Sequence, residues 1–161
     1  MHVALTENTK APLFSGTSLN GPVSLEEYYK KYNVVLYFYP KDNTPGCTLE
    51  SKGFTKLVPE FERLKTKVIG VSKDSLDSHQ SFCDQYNLSV NLISDTDLVI
   101  CKDYKVWVEK SFLGKKYMGI ERSTFLINKE QIIVKVWHKA KVIGHASEVL
   151  ETVRNLDTQL F

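Results

Sequence analysis

Apolar residues are spaced in two ways along this chain. Residues 34–39 (Val34, Val35, Leu36, Tyr37, Phe38, Tyr39) are β-branched and aromatic with no charge, the mark of a strand buried on both faces. From Cys47 the pattern changes: Leu49, Phe54, Leu57, Val58, Phe61 and Leu64 recur at helical spacing, with Glu50, Lys52, Lys56, Glu60 and Glu62 mostly elsewhere. This predicts an amphipathic helix over 47–65 that starts at the cysteine. Residues 67–72 return to a strand pattern, so the stretch reads as strand, helix, strand. Such parallel crossovers are right-handed, and their functional residues tend to lie at the carboxyl ends of the strands.

Upstream, the chain to Pro22 is rich in Thr, Ser, Asn, Gly and Pro and reads as loop with short strand pieces such as Leu13 and Phe14. Ser24, with Glu27 three positions on, predicts a capping box opening a short helix that ends by Asn33. Downstream, the pattern predicts a helix over 75–86 carrying Leu76, His79, Phe82, Cys83 and Tyr86, a strand over 90–94, and a helix over 95–104 capped by Asp95 or Thr96. A hairpin follows, with strands 122–127 and 131–137 around Asn128, Lys129 and Glu130. The last helix spans 146–160, with Val149, Leu150, Val153, Leu156 and Leu160 on one face. The order implies an α/β fold with a central mixed sheet flanked by helices, compatible with the thioredoxin-like group among several arrangements. Residues 1–161 read as a single domain.

Composition narrows the function little. At 42% hydrophobic and 25% charged residues with a net charge of +2, the chain reads as a soluble protein without a nucleic-acid or membrane surface. Its apolar runs fall far short of the roughly 20 residues that span a bilayer, and its first residues lack the pattern of a signal peptide. A cytoplasmic location is expected. Three cysteines, Cys47, Cys83 and Cys101, do not make a structural disulfide framework, and in a reducing compartment they stay thiols or serve redox chemistry. There is no Cys-x-x-Cys pair and no histidine at metal-ligand spacing from a cysteine, so neither a metal nor a cofactor is expected.

Cys47 is the candidate reactive group. A free thiol titrates near pH ~8.5, and a helix N-terminus with a nearby cation lowers that value. The first-turn N–H groups of Cys47, Thr48 and Leu49 are expected to face the sulfur. Gly46 permits close backbone approach, and Pro45 holds Thr44 extended. Ionisation alone gains at most roughly thirtyfold in reactive thiolate, and nucleophilicity falls with pKa. A fast cysteine enzyme therefore also needs donors aimed at its substrate's oxygens.

The run Tyr37-Phe38-Tyr39-Pro40-Lys41-Asp42-Asn43-Thr44-Pro45-Gly46-Cys47-Thr48-Leu49-Glu50 resembles the active-site loop of the peroxiredoxins, most closely their Q-type, or bacterioferritin comigratory protein, branch. The resemblance continues through Gly70 to Ser75, Ser78-His79, Phe82, Ser94-Asp95, Tyr104, Val106-Trp107, Glu121 to Ile127 and Gly144 to Ala146. It implies a thioredoxin-like peroxiredoxin fold and a thiol peroxidase acting on hydrogen peroxide or alkyl hydroperoxides, recycled by thioredoxin or a similar dithiol. Residue by residue, it implies that Cys47 is the peroxidatic cysteine and that Thr44 hydrogen-bonds the peroxide. It further implies that Pro40 shields the sulfenic acid, that Arg122 lowers the Cys47 pKa and orients substrate, and that Glu50 holds Arg122.

The chain departs from the family where many members carry a resolving cysteine: position 52 is Lys52. By resemblance to other members, Cys83 takes that role, and a Cys47–Cys83 disulfide then requires a helix turn to unwind. Cys101 reads as a core thiol, and His145 as a cap or packing residue. A one-cysteine peroxidase resolved by an external thiol is the alternative, and a thioredoxin-like relay or redox sensor is another. The relay wants a cysteine where Glu50 stands. The chain reads as a monomer, with a dimer the alternative.

Overall fold

In the computed structural model, residues 3–158 are described, with side chains to residue 156. The buried run became strand β4 (Asn33–Phe38), in which all six residues are buried. Ahead of it, in chain order, come β1 (Thr9–Lys10), β2 (Ser15–Ser18) and β3 (Gly21–Ser24), then a 3₁₀ turn at Leu25–Tyr28. After it follow α1 (Pro45–Arg63), β5 (Thr66–Ser72), α2 (Leu76–Tyr86), β6 (Asn91–Ser94), α3 (Val99–Asp103), β7 (Trp107–Phe112), β8 (Lys115–Ile120), β9 (Ser123–Ile127), β10 (Ile132–Trp137) and α4 (His145–Thr158).

The main sheet runs β1-β10-β9-β4-β5-β6-β2-β3, with β4, β5 and β6 parallel and β9 antiparallel to β4. Alternate residues of β4 therefore feed two cores. Tyr37 and Tyr39 pack with Phe54 and Phe61 of α1, Phe82 of α2 and Val149 and Val153 of α4. Leu36 and Phe38 face the layer that holds Leu25, Ile100, Cys101 and Tyr104. Among the described residues, no helix is long and apolar enough to cross a membrane.

Several local expectations need correction. Leu13 and Phe14 are not strand; the pairing lies just after them, in the β2–β3 hairpin. Ser24 makes no side-chain cap, and the short helix is a single 3₁₀ turn. Asp95 does not start α3, whose N-cap is Leu98 in a left-handed conformation (φ 62°). The Asp95 carboxylate still serves that helix, accepting from the N–H groups of Ile100 (3.2 Å) and Cys101 (2.8 Å). The connection from β9 to β10 takes in Gln131 (φ 65°) and is one residue longer than expected. Leu49 is 52% exposed rather than core-facing. Leu160 lies outside the described residues.

The β7–β8 hairpin was not anticipated. Its turn is Leu113 (φ 51°) and Gly114 (φ 80°), the pair of left-handed residues that a tight two-residue hairpin requires. Gly114 was the available signal, but Leu is an unusual partner at such a turn, and the flanking residues carry no clean alternation.

Candidate active site

Helix α1 begins at Pro45, two residues before Cys47, with Thr44 as its N-cap in an extended conformation (φ −94°, ψ 154°). The cause is local: Pro45 disfavours helical backbone at Thr44 and suits the first helical position, where no N–H is needed. Cys47 thus sits in the first turn, only 1% exposed. The earlier start changes which backbone donors are spare. Thr48 N–H is bonded to the Thr44 carbonyl at 2.8 Å, so Gly46 and Cys47, not Thr48 and Leu49, carry the first-turn N–H groups without a preceding carbonyl.

Arg122 arrives from across the sheet. Phe38, at the end of β4, is in register with Ser123, at the start of β9, so the residue before Ser123 falls beside the turn after β4. One terminal nitrogen of Arg122, Nη2, donates to Cys47 Sγ at 3.2 Å, and the other, Nη1, donates to Glu50 Oε1 at 2.6 Å. A Cβ at Gly46 would stand 3.2 Å from Arg122 Nη2, so this glycine is needed for the guanidinium's close approach.

Glu50 is 2% exposed, and its second oxygen, Oε2, is buried without a hydrogen-bond partner. Burial pushes its carboxyl up to about 7, against the opposing pull of Arg122. For Arg122 the balance is reversed. Burial disfavours its charge, but Glu50 and Cys47 together raise its pKa, keeping it a cation.

Thr44 is positioned without capping the helix. Its hydroxyl donates to the Lys41 carbonyl at 2.9 Å, while Thr48 Oγ1 donates to the Thr44 carbonyl at 2.7 Å. With its proton committed, Thr44 Oγ1 has lone pairs left to accept a hydrogen. Pro40 is half-buried in the turn between β4 and α1.

Behind that turn lies a buried polar junction that sequence reasoning did not find. Asp42, 6% exposed, accepts from Tyr39 Oη at 2.6 Å and Ser78 Oγ at 2.8 Å, and meets His79 Nδ1 at 2.7 Å. His79 Nε2 faces the Ile93 carbonyl at 2.9 Å, which only accepts, so that nitrogen bears a hydrogen. Asp74 joins through the Asp42 N–H (2.8 Å) and Ser72 Oγ (2.6 Å). The ligand atoms of Asp42, Asp74 and His79 lie within 4.8 Å of one another, but these protein partners account for them as a hydrogen-bonded junction tying the turn to α2.

Cys83, 7% exposed on α2, shares the core layer of Cys47. All three cysteines are free thiols. Burial first, then Asp42 and Asp84, pushes the Cys83 thiol up to about 11. Cys101 is fully buried, and burial followed by Asp95 raises its pKa far above the ordinary thiol range. His145 opens α4 and pairs with Thr124 Oγ1 through Nε2 at 2.8 Å; burial holds its pKa down at about 4, so it is neutral at pH 7.

Lys110, on the unanticipated β7, is a further group in the field of the site. Burial, then Arg122, lowers its pKa, while Cys47 and Glu121 oppose the shift. Nothing in its sequence surroundings signalled this.

Residues 8–136 match the model of the AhpC/TSA family. The chain is 48% identical over 141 residues to a putative peroxiredoxin bcp of Coxiella burnetii, covering 88% of this chain and 93% of that one. A solved cysteine-to-serine mutant of Xylella fastidiosa PrxQ is similar at 38% identity with a TM-score of 0.88, over 96% of this chain and 99% of that one. A structure of the Xanthomonas campestris bacterioferritin comigratory protein, from work on its alkyl peroxide reduction activity, matches at 40% identity and a TM-score of 0.82, over 88% of this chain and 90% of that one.

Proposed function

This chain belongs to the AhpC/TSA family, in its Bcp or peroxiredoxin Q group, and is a thiol peroxidase of thioredoxin-like fold; on that premise we propose that Cys47 is its peroxidatic nucleophile. The observation that carries the reading is the Arg122 Nη2 to Cys47 Sγ hydrogen bond of 3.2 Å at a helix N-terminus. A cation and the first-turn dipoles thus converge on one sulfur.

In the proposed reaction the Cys47 thiolate attacks the terminal oxygen of hydrogen peroxide or an alkyl hydroperoxide. The O–O bond breaks, the sulfur is oxidised to sulfenic acid, and the leaving oxygen takes a proton and departs as water or alcohol. Arg122 and the N–H groups of Gly46 and Cys47 stabilise charge on the peroxide oxygens as the bond lengthens. Thr44 Oγ1, its own proton held by Lys41, accepts from the hydroperoxide O–H. Glu50 aims Arg122, and Pro40 limits water at the nascent sulfenic acid. The alkyl substrate class is suggested by the activity named for the Xanthomonas campestris relative.

Resolution is assigned to Cys83. Its sulfur attacks Cys47 Sγ, the S–O bond breaks, and water leaves as the disulfide forms. A thioredoxin-type dithiol then reduces the disulfide and is itself oxidised. A thiol pushed up to about 11 by burial is a poor nucleophile where it stands, so exposure of Cys83 must precede its attack. Strands from the start and end of the chain share one sheet, as β1 pairs with β10, which supports one domain over 1–161. A monomer, with a dimer the alternative, and a reducing cytoplasm complete the reading.

The test is peptide mass mapping after about one equivalent of peroxide. A peptide joining Cys47 to Cys83 is expected. A persistent Cys47 sulfenic acid without that link assigns resolution to an external thiol, and unmodified Cys47 contradicts the nucleophile.

A further inference from the structure

Two adjacent residues of the Cys47 turn, Asp42 and Asn43, hold α2 on either side of Cys83. Asp42 Oδ2 accepts from Ser78 Oγ at 2.8 Å and meets His79 Nδ1 at 2.7 Å, four residues before the cysteine. Asn43 Oδ1 accepts from Tyr86 Oη at 2.7 Å, three residues after it. Lys52 of α1 completes the second grip, with Nζ 5.0 Å from the centroid of the Tyr86 ring. Tyr86 also packs edge-on against Phe82 at 5.8 Å.

The two grips differ in exposure. His79 is fully buried and Asp42 nearly so, making that end part of the core. At the other end Lys52 is exposed and Tyr86 half-buried. Tyr86 is also the last residue of α2: Asn87 follows in a left-handed conformation (φ 52°), its N–H bonded to the Cys83 carbonyl. The Leu88 N–H reaches the same carbonyl at 3.0 Å. Cys83 therefore occupies the final turn, and fraying of that single turn frees it.

We propose that Lys52, Tyr86 and Asn43 form a clasp that keeps the last turn of α2 closed and sets the rate at which Cys83 reaches the Cys47 sulfenic acid. This rests on the reading of Cys83 as the resolving cysteine. Lys52 and Tyr86 are positioning residues: neither takes part in the bonds made and broken. While the clasp holds, the sulfenic acid meets further peroxide unprotected and goes on to sulfinic acid. When it opens, disulfide formation wins. The clasp thereby divides Cys47 between turnover and inactivation.

The experiment follows both chemical steps by rapid quench and mass analysis in the full-length protein and in Tyr86→Phe, Lys52→Ala and Lys52→Arg. Tyr86→Phe deletes the hydrogen bond and Lys52→Ala the ring contact; each is expected to speed disulfide formation by about two- to fivefold and to lower the sulfinic acid yield at excess peroxide. Oxidation of Cys47 should be unchanged in both. Lys52→Arg, which keeps a cation over the ring, should retain the unsubstituted rate. A Cys47–Cys83 disulfide that forms at the same or a lower rate in Tyr86→Phe and Lys52→Ala overturns the clasp alone. Absence of that disulfide from the unsubstituted protein overturns the Cys83 reading and the clasp with it.

Discussion

Arg122 Nη2 lies 3.2 Å from Cys47 Sγ although 75 positions separate the two residues in the chain. The sheet closes that distance: β9 pairs antiparallel with β4, and Phe38 stands opposite Ser123. The turn after β4 and the residue before β9 then meet at the same sheet end, which is where parallel α/β sheets gather chemistry. The guanidinium is divided between this sulfur and Glu50, and only a planar, permanently charged fork serves both at once.

Arg122→Ala removes the cation and its donors from the sulfur, and the second-order rate constant with peroxide should fall by about 10² to 10³. Arg122→Lys keeps the charge without the fork and should fall between the two. Stopped-flow competition against a peroxidase of known rate measures both. Thermal unfolding should be affected less, because Glu50, already raised to about 7, takes up a proton when its partner is lost.

Gly46→Ala tests close approach. The new Cβ would lie 3.2 Å from Arg122 Nη2 and 3.8 Å from Val142 Cγ2. Arg122 must shift by a few tenths of an ångström, and the peroxide rate should fall on the order of tenfold. An unchanged rate would show that the guanidinium's position is not critical.

Glu50 gives the protein a pH signature. Its folded-state pKa, about 7, lies above its ordinary value of 4.5, so between these pH values the folded state binds more protons than the unfolded. Stability from this group is therefore full below about pH 4.5 and falls as pH rises toward 7, by about 3 kcal/mol in all. Glu50→Gln should lose this slope, which urea unfolding at a series of pH values detects.

Much of this arrangement was legible in the chain, for reasons specific to particular residues. The uncharged run before Pro40 is buried on both faces, so its strand could be read without knowing its neighbours. Pro45 and Gly46 marked the helix start to within two residues. Arg122 was reached only through family resemblance, since no periodicity says which strand lies beside β4. The Asp42–His79 junction and the Tyr86–Asn43 contact were not legible, because each joins residues that the pattern assigns separately to a turn and a helix. Lys110 was missed with its hairpin, whose Leu113–Gly114 turn departs from the usual Asn-Gly signal. Asp95 shows a subtler failure: it serves α3 as expected, but from three residues before the N-cap, through a carboxylate that reaches Ile100 and Cys101.

Cys47, set between a helix N-terminus and Arg122, is proposed to be a fast peroxide nucleophile. The direct measurement is the stopped-flow rate of hydrogen peroxide with the reduced protein at pH 7, beside Cys47→Ser and free cysteine. The rate should exceed that of free cysteine by several orders of magnitude and disappear in Cys47→Ser. A rate no faster than free cysteine, or one that survives Cys47→Ser, would contradict it.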